Sequence, residues 1–413
     1  MGSLLLLAAL QAATGPDPGG TLEPIDTTRL TALRQFTNNT GWHRQGSTAG
    51  PDGAQVVTMH NVRSTACAPR IHYGLHGWAG LDAGVTAKWT LVVDGAAHPV
   101  LWSGQHEVHI PMAAQGMTSD PLPPSVVMRA GTTIYSVMDI KPGSVYPDRT
   151  FKQPTRVSHR AETAFVSLPD AMTSSLLSGA PVGLYGLTEP TEMLSVAHIG
   201  DSFSEPGWAR NAYETHGLAW SDMSQWAEGT PASGLPERRF PTTGPMPYRA
   251  VVTAYGGNNR GITPLESQQA VHIGHWRGIA NTGALVGACT LHPYTSSTDN
   301  WASVEGQTKS LSEEVEGVRV ARNEWLRDGA PLLPDDTPLP VGTTDPAALR
   351  AGDDGHPLAF PVFDQSAACE TAVNSGIWKA DGGAWTADGA HLTQHGSDML
   401  QTHFEQWVAD NLT

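Results

Sequence analysis

Cysteine is scarce in this chain. Cys67, Cys289 and Cys369 allow at most one disulfide and form no Cys-x-x-Cys pair, so a multi-disulfide scaffold is excluded. Cys289 lies in an apolar run and reads as a small buried hydrophobe. Charge is also thin, at 15% of residues, and basic clusters are absent. With 24 Lys and Arg against 40 Asp and Glu, the net charge is −16, which makes nucleic acid and anionic membrane surfaces poor partners. No apolar run is long enough to span a bilayer. The leading stretch Leu4–Leu10 resembles a short signal-peptide core, yet no Lys or Arg precedes it. A docking helix and a leader both remain open. No internal repeat is visible.

Glycine (44) and proline (31) are plentiful and imply many turns, while 39% hydrophobic residues suffice for real cores. A length of 413 residues exceeds one ordinary domain and suggests two. Tryptophan, at 13, outnumbers Phe and Tyr individually. Trp208, Trp220 and Trp226 could line a site or pack a core.

Three segments are expected: an apolar leader and linker over 1–25, a β-rich accessory domain over 26–190, and a catalytic domain over 191–413. After Gly15–Gly20, a short helical pattern starts at Asp26 and carries Leu30, Leu33 and Phe36 on one face. Short strand-like runs follow at Gln55–Met59, Lys88–Val93, Val108–Pro111, Val126–Arg129, Thr132–Ile140 and Ala164–Leu168. Asp94-Gly95 is a hairpin signal between two of them. This half reads as a β-sandwich or jelly roll. Beyond Leu184–Pro190 the pattern changes. Leu194–Ile199, Ala250–Tyr255, Ala284–His292 and Leu358–Phe363 read as buried strands. Gln268–Ile279, Ser312–Arg327 and His391–Leu412 read as helices, so the second half is α/β with a covered parallel sheet. Gly329–Gly355 reads as a long loop of the functional or mobile kind.

Chemistry gathers at three motifs. The apolar run before Gly200 breaks at Gly200-Asp201-Ser202, where a strand enters a turn and what reads as a helix start, exposing a nucleophile beside backbone N–H donors. A second strand runs into Gly256-Gly257-Asn258-Asn259, with an amide side chain at the tip. Near the end, Asp388 and His391 stand three apart ahead of a helix. That spacing lets the carboxylate fix the imidazole tautomer while the ring points at a nucleophile.

Together, Gly200-Asp201-Ser202, Gly256-x-Asn258 and Asp388-x-x-His391 resemble the SGNH (GDSL-type) hydrolase superfamily, in order and in context, from about Glu192 onward. Gly217, in Thr215–Trp220, is the candidate for its glycine block. The stretch Gly104–Leu122, with Ser119-Asp120-Pro121, is similar to the β-rich segment preceding the catalytic block in a group of actinobacterial-type members. The resemblance implies a flavodoxin-like three-layer fold, acyl-ester hydrolysis and no metal or cofactor. It makes Ser202 the nucleophile, His391 the general base and acid, and Asp388 its orienting partner. The Ser202 N–H, the Gly217 N–H and the Asn258 amide become the oxyanion donors, each worth on the order of 3 kcal/mol. Asp201 would brace the turn. Two positions depart from the family pattern. Asn259 replaces an Asp, and Phe203 replaces a Leu where the acyl pocket could change.

The other histidines read as structural. His72 with His76 and His106 with His109 lack a third ligand. His198 packs in its strand, and His272 with His275 reads as solvated or core. The expected activity is a serine esterase acting on O-acyl groups of a carbohydrate or cell-envelope glycolipid. Two alternatives stand beside it: a lipase or thioesterase for longer acyl chains, and an adhesion or assembly protein of a virion or surface carrying the fold. An extracellular or surface location is expected. The N-terminal region is the candidate for contacts in a homo-oligomer or larger assembly.

Overall fold

In the run Val85–Val93, alternate residues Val85, Ala87, Trp89 and Leu91 are buried while Lys88 is exposed, the period of a strand with one face on a core. The computed structural model describes residues 25–40, 46–48, 54–73, 85–110, 117–147, 155–159, 183–190, 195–204, 206–222, 246–257 and 264–413. The leader, Gly15–Gly20, His76, Ala164–Leu168, Trp226 and Asn258–Asn259 lie outside the described residues. Two compact units divide the chain. The first takes the described residues of Met1–Ser195, Ala219–Met223 and Arg238–Pro247, and the second those of Val196–Leu218, Ser224–Glu237 and Tyr248–Thr413.

The first unit is built on two antiparallel sheets. One orders Ala32–Gln35, Gly183–Thr188, Ala66–Tyr73 and Val127–Met128; the other orders Thr155–His159, Ala54–Asn61, Thr133–Ile140, Val85–Val93 and Ala96–Val100. Ile71, Tyr73 and Leu184 of the first sheet share one hydrophobic cluster with Val56, Trp89 and Met138 of the second, which makes the unit a sandwich. Asp94 and Gly95 both take positive φ (48° and 75°), the two-residue hairpin their sequence signals. Ser119 and Asp120 are turn braces. Ser119 Oγ accepts the Ile71 N–H at 2.9 Å, and Asp120 Oδ2 accepts the Gly104 N–H at 2.7 Å.

The opening helical pattern is a correction. Asp26 caps only a 3₁₀ turn, Thr27–Arg29, and Leu33 instead lies in a strand paired with Leu187. Long-range pairing overrides a helical period this short. Ala219–Asp222, although late in sequence, joins this unit and pairs in parallel with Asn38–Thr40.

In the second unit β1 (Ser195–Gly200), β2 (Ala250–Ala254) and β3 (Leu285–Ala288) lie in parallel, with Ile199 opposite Thr253 and Val252 opposite Gly287. β1 and β2 are buried at every position, as strands covered on both faces must be. The helices are α1 (Trp208–Thr215), α2 (Leu265–Ala280), α3 (Glu313–Arg327), α4 (Gln365–Cys369) and α5 (Gln394–Asn411). A small hairpin, β4 (Thr295–Ser297) with β5 (Gln307–Lys309), follows β3. Leu400, Phe404, Trp407 and Val408 give α5 its buried stripe, and Phe404 meets Trp208 of α1 edge-on at 4.9 Å. Leu358–Phe363 is not a ladder strand: it bends at Phe360, and among the described residues its one bridge is Phe363 with Cys289, in parallel.

The loop after α3 is fastened rather than loose. Leu332 is fully buried and bridges Pro338 and Leu349, and Arg277 grips Asp336 through two hydrogen bonds. All three cysteines are buried and free. Among the described residues no helix is long and apolar enough to cross a membrane.

Candidate active site

Parallel strands bring their carboxyl ends to one edge of a sheet, the usual place for a site in an α/β unit. There the turn after β1 carries Ser202, 8% exposed. The helix does not begin at Ser202: residues 202–204 form a turn, and α1 starts at Trp208 after Gly207, whose φ of 92° breaks the path. Pro206 before it also disfavours helix.

His391 arrives from a closed turn ahead of α5. The helix itself begins at Gln394 under a Thr393 cap, so His391 is not on a helix face as its sequence pattern suggests. Asp388 does the local shaping: its Oδ1 accepts the N–H groups of Ala390 and His391 at 2.9 and 2.7 Å. Its Oδ2 accepts the His391 Nδ1 proton at 2.6 Å, which leaves Nε2 to accept the Ser202 hydroxyl at 2.8 Å. Partial burial pushes the Asp388 carboxyl up, but the His391 ring and the two backbone donors outweigh it and hold it below the usual range. The turn is closed by Thr386, whose hydroxyl donates to the His391 carbonyl and accepts the Gly389 N–H.

Asp201 braces two loops at once. Oδ1 accepts the Phe203 N–H at 3.0 Å and Oδ2 accepts the Gly257 N–H at 3.2 Å. Burial raises its carboxyl to about 6, against the pull of those two N–H groups and of the nearby His391 and Arg322. Arg322, from α3, is buried below the Gly256 turn and donates to the Tyr255 carbonyl at 3.2 Å. Burial lowers it to about 10 despite Tyr255, Asp201 and Tyr294 around it. Gly256 has φ 116°, and a Cβ there would overlap the Arg322 guanidinium. Asn258, next along this turn, lies outside the described residues.

Gly217 is a correction. Its N–H donates to the Glu214 carbonyl at 2.9 Å, and the Leu218 N–H reaches back to Tyr213 at 3.0 Å. With φ 67°, Gly217 is the left-handed stop of α1. Its donor is spent on the Glu214 carbonyl at the end of α1, which argues against an oxyanion role.

Two neighbours, His292 and Trp378, carry no signal in the sequence. Phe203 is buried and stacks on His292 at 3.9 Å and 9°. Trp378 packs beside both rings. Only the fold brings these residues together. Trp208 and Trp220 are buried core residues and not site walls. His198 lies within 3.1 Å of the Tyr213 hydroxyl and 3.3 Å of Ser204 Oγ. His272 stacks on Tyr255 at 5.3 Å, and His275 bonds the Tyr255 hydroxyl. Burial drives His272 far below the usual histidine range, so it is a neutral core group. His72 pairs with Thr118, His106 with the Trp89 carbonyl and His109 with Thr86. Among the described residues no group of three His, Cys, Asp or Glu is placed to hold a metal.

A serine hydroxyl linked through an imidazole to a carboxylate, at the carboxyl ends of parallel strands, has the geometry of a nucleophilic triad on an α/β unit. No family model matches the chain, and no curated protein matches it. Solved structures similar to it include three bacterial proteins. Protein YxiM from Bacillus subtilis is 13% identical over 96% of this chain and 96% of its own, with a TM-score of 0.35. A member of the lipolytic protein G-D-S-L family from Veillonella parvula is 13% identical over 51% of this chain and 96% of its own, at 0.34. A GDSL-like lipase from Bacteroides thetaiotaomicron is 13% identical over 52% of this chain and 88% of its own, at 0.33.

Proposed function

We propose that this protein is a serine ester hydrolase, with Ser202 as nucleophile, His391 as general base and acid, and Asp388 as its orienting partner. The observation that carries the reading is the unbroken path from Ser202 Oγ through His391 to Asp388, at 2.8 and 2.6 Å. Ser202 Oγ attacks the ester carbonyl carbon as its proton passes to His391 Nε2. The tetrahedral oxyanion collapses, the C–O bond breaks, and His391 returns the proton to the leaving alkoxide. Water repeats the sequence on the acyl-serine and releases the acid. Asp388 stays ionised and stabilises the imidazolium. The Ser202 N–H and the Asn258 amide serve as oxyanion donors in this reading.

The substrate we propose is an O-acyl group on a carbohydrate or glycolipid in an extracellular or surface setting. One residue supports the sugar side. Trp301, half-buried at the tip of the β4–β5 hairpin, lies against the catalytic turn, where its ring would be in contact with a Cβ at Gly389. Its Nε1 proton is held by Thr295 Oγ1 at 2.8 Å, which fixes the ring plane.

The test is a p-nitrophenyl ester series, acetate to palmitate, with the wild type and Ser202→Ala. The variant is expected to lose about four orders of magnitude in kcat or more, and adding His391→Ala to cost little further. An optimum at short chains supports the acyl-carbohydrate reading, and a long-chain optimum the lipase reading, each buried methylene being worth about 0.8 kcal/mol. A folded wild type that neither hydrolyses any ester nor forms an adduct at Ser202 with a fluorophosphonate would overturn the hydrolase reading and favour an assembly role. Trp301→Ala is expected to lower kcat/KM more on an acetylated oligosaccharide than on p-nitrophenyl acetate.

A further inference from the structure

The triad is assembled from two separate turns, after β1 and before α5, and burial does not hold its outer half. The His391 and Asp388 side chains are 34% and 52% exposed. Something else must fix the ring against Ser202. At the centre of the catalytic turn is Gly389, whose φ of 84° lies in the left-handed region and whose carbonyl ties the turn to the rest of the fold.

Two donors take that carbonyl. The Trp378 indole N–H donates to Gly389 O at 3.1 Å, and the Thr295 backbone N–H donates to the same oxygen at 3.1 Å. Trp378 also reaches the other turn. Its fully buried ring sits 6.1 Å from Phe203, the residue after the nucleophile, and 5.9 Å from His292, on which Phe203 stacks. The tryptophan is itself clamped. Its backbone N–H donates to Gln307 Oε1 at 3.1 Å, and Gln307 Nε2 donates back to its carbonyl at 3.0 Å. Gln307 belongs to β5, whose partner strand β4 supplies Thr295. Thr295 Oγ1 donates to Gln307 Oε1 at 3.4 Å, so Gln307, Trp378, Gly389 and Thr295 close a ring of hydrogen bonds.

We propose that Trp378 is a positioning residue that sets the distance between Ser202 Oγ and His391 Nε2, through its indole N–H on Gly389 and its ring on Phe203. The proposal deepens the triad reading above and rests on it. A displacement near 1 Å at a reacting pair costs up to about 100-fold in rate, while bulk substrate contacts are left as they were. The signature is thus a loss in kcat with KM held.

Trp378→Phe keeps a ring on Phe203 and removes the indole N–H. We expect kcat on p-nitrophenyl acetate to fall roughly 10- to 100-fold with KM within about twofold. The low-field proton resonance of His391 Nδ1, assigned by its loss in His391→Gln, should move or broaden. Unchanged kcat and an unchanged resonance would overturn the proposal. So would a fall in kcat that tracks a lowered melting temperature with the resonance unmoved, since that is a purely structural role. Should Trp378→Phe not fold, Gln307→Leu frees the Trp378 main chain. The same two signals then decide: a shifted resonance with lowered kcat supports the proposal, and an unmoved resonance overturns it. Fluorophosphonate labelling of Ser202 in the wild type separately tests the triad reading. Its failure leaves the resonance still able to decide whether Trp378 holds the turn.

Discussion

Asp201 keeps its proton in the folded chain up to about pH 6, whereas the unfolded chain releases it near 3.8. Between those values the folded state binds the extra proton, so this residue's contribution makes stability fall as pH rises from about 4 to about 6 and stay level above. Asp201→Asn is expected to remove that slope, seen as a smaller change in urea midpoint across that window than in the wild type. It also keeps only one oxygen for the two N–H groups of Phe203 and Gly257, leaving one of the two loops unbraced, and kcat should drop roughly tenfold or more. Gly389 is equally exacting. A Cβ there would overlap the Thr295 carbonyl oxygen, and its left-handed φ already disfavours other residues. Gly389→Ala is therefore expected to lower kcat more than any conservative change at the neighbouring Ala390, measured on p-nitrophenyl acetate. At this scale much of the site was legible. Ser202, Asp388 and His391 announce themselves because local spacing and turn chemistry place them. Gly217 misleads because a glycine between helix and strand stops a helix in the same sequence context. Trp378 and Arg322 were illegible, since their meaning lies in what distant residues bring beside them.

Helices α2, α3 and α5 are readable from apolar spacing, and side-chain caps explain where α3 and α5 begin. Ser312 accepts the Val315 N–H, and Glu313, Glu314 and Glu316 place negative charge on the first turn of α3, with Arg327 on its last. From sequence, α5 starts three residues too early, because Asp388 makes a cap-like contact of its own that closes a turn instead of opening a helix. Thr393 is the true cap: its hydroxyl accepts the Gly396 N–H at 3.0 Å and donates to the Ala384 carbonyl at 2.6 Å. Thr393→Ala is expected to cost about 1 kcal/mol of stability by urea unfolding. The long proline-rich stretch after α3 reads as free loop because its anchors are side-chain pairs across sequence, Arg277 with Asp336 and Arg350 with Asp328, which no local pattern reveals.

The division of the whole chain into a β-rich part and an α/β part follows from patterning, but the path between them does not. A boundary near residue 190 is natural from composition. The first unit nevertheless draws on later sequence. Asn38–Thr40 takes its parallel partner from Ala219–Asp222, and the Gln35 N–H donates to the Pro247 carbonyl at 2.8 Å. Parallel pairing needs a long connection, so such a partner cannot be found by reading neighbours. A fragment ending at Pro190 would leave the Asn38–Thr40 edge unpaired and the buried Gln35 backbone donor without its acceptor. An unmet buried donor costs about 1–3 kcal/mol, and an open strand edge invites association. The fragment is therefore expected to melt several degrees below the full chain, since about 1 kcal/mol shifts a domain of this size by roughly 2–4 °C. It is also expected to self-associate, read by circular dichroism and sedimentation. A fragment that stays monomeric and melts with the intact protein would show that the sandwich core, centred on Ile71, Trp89 and Met138, is sufficient by itself.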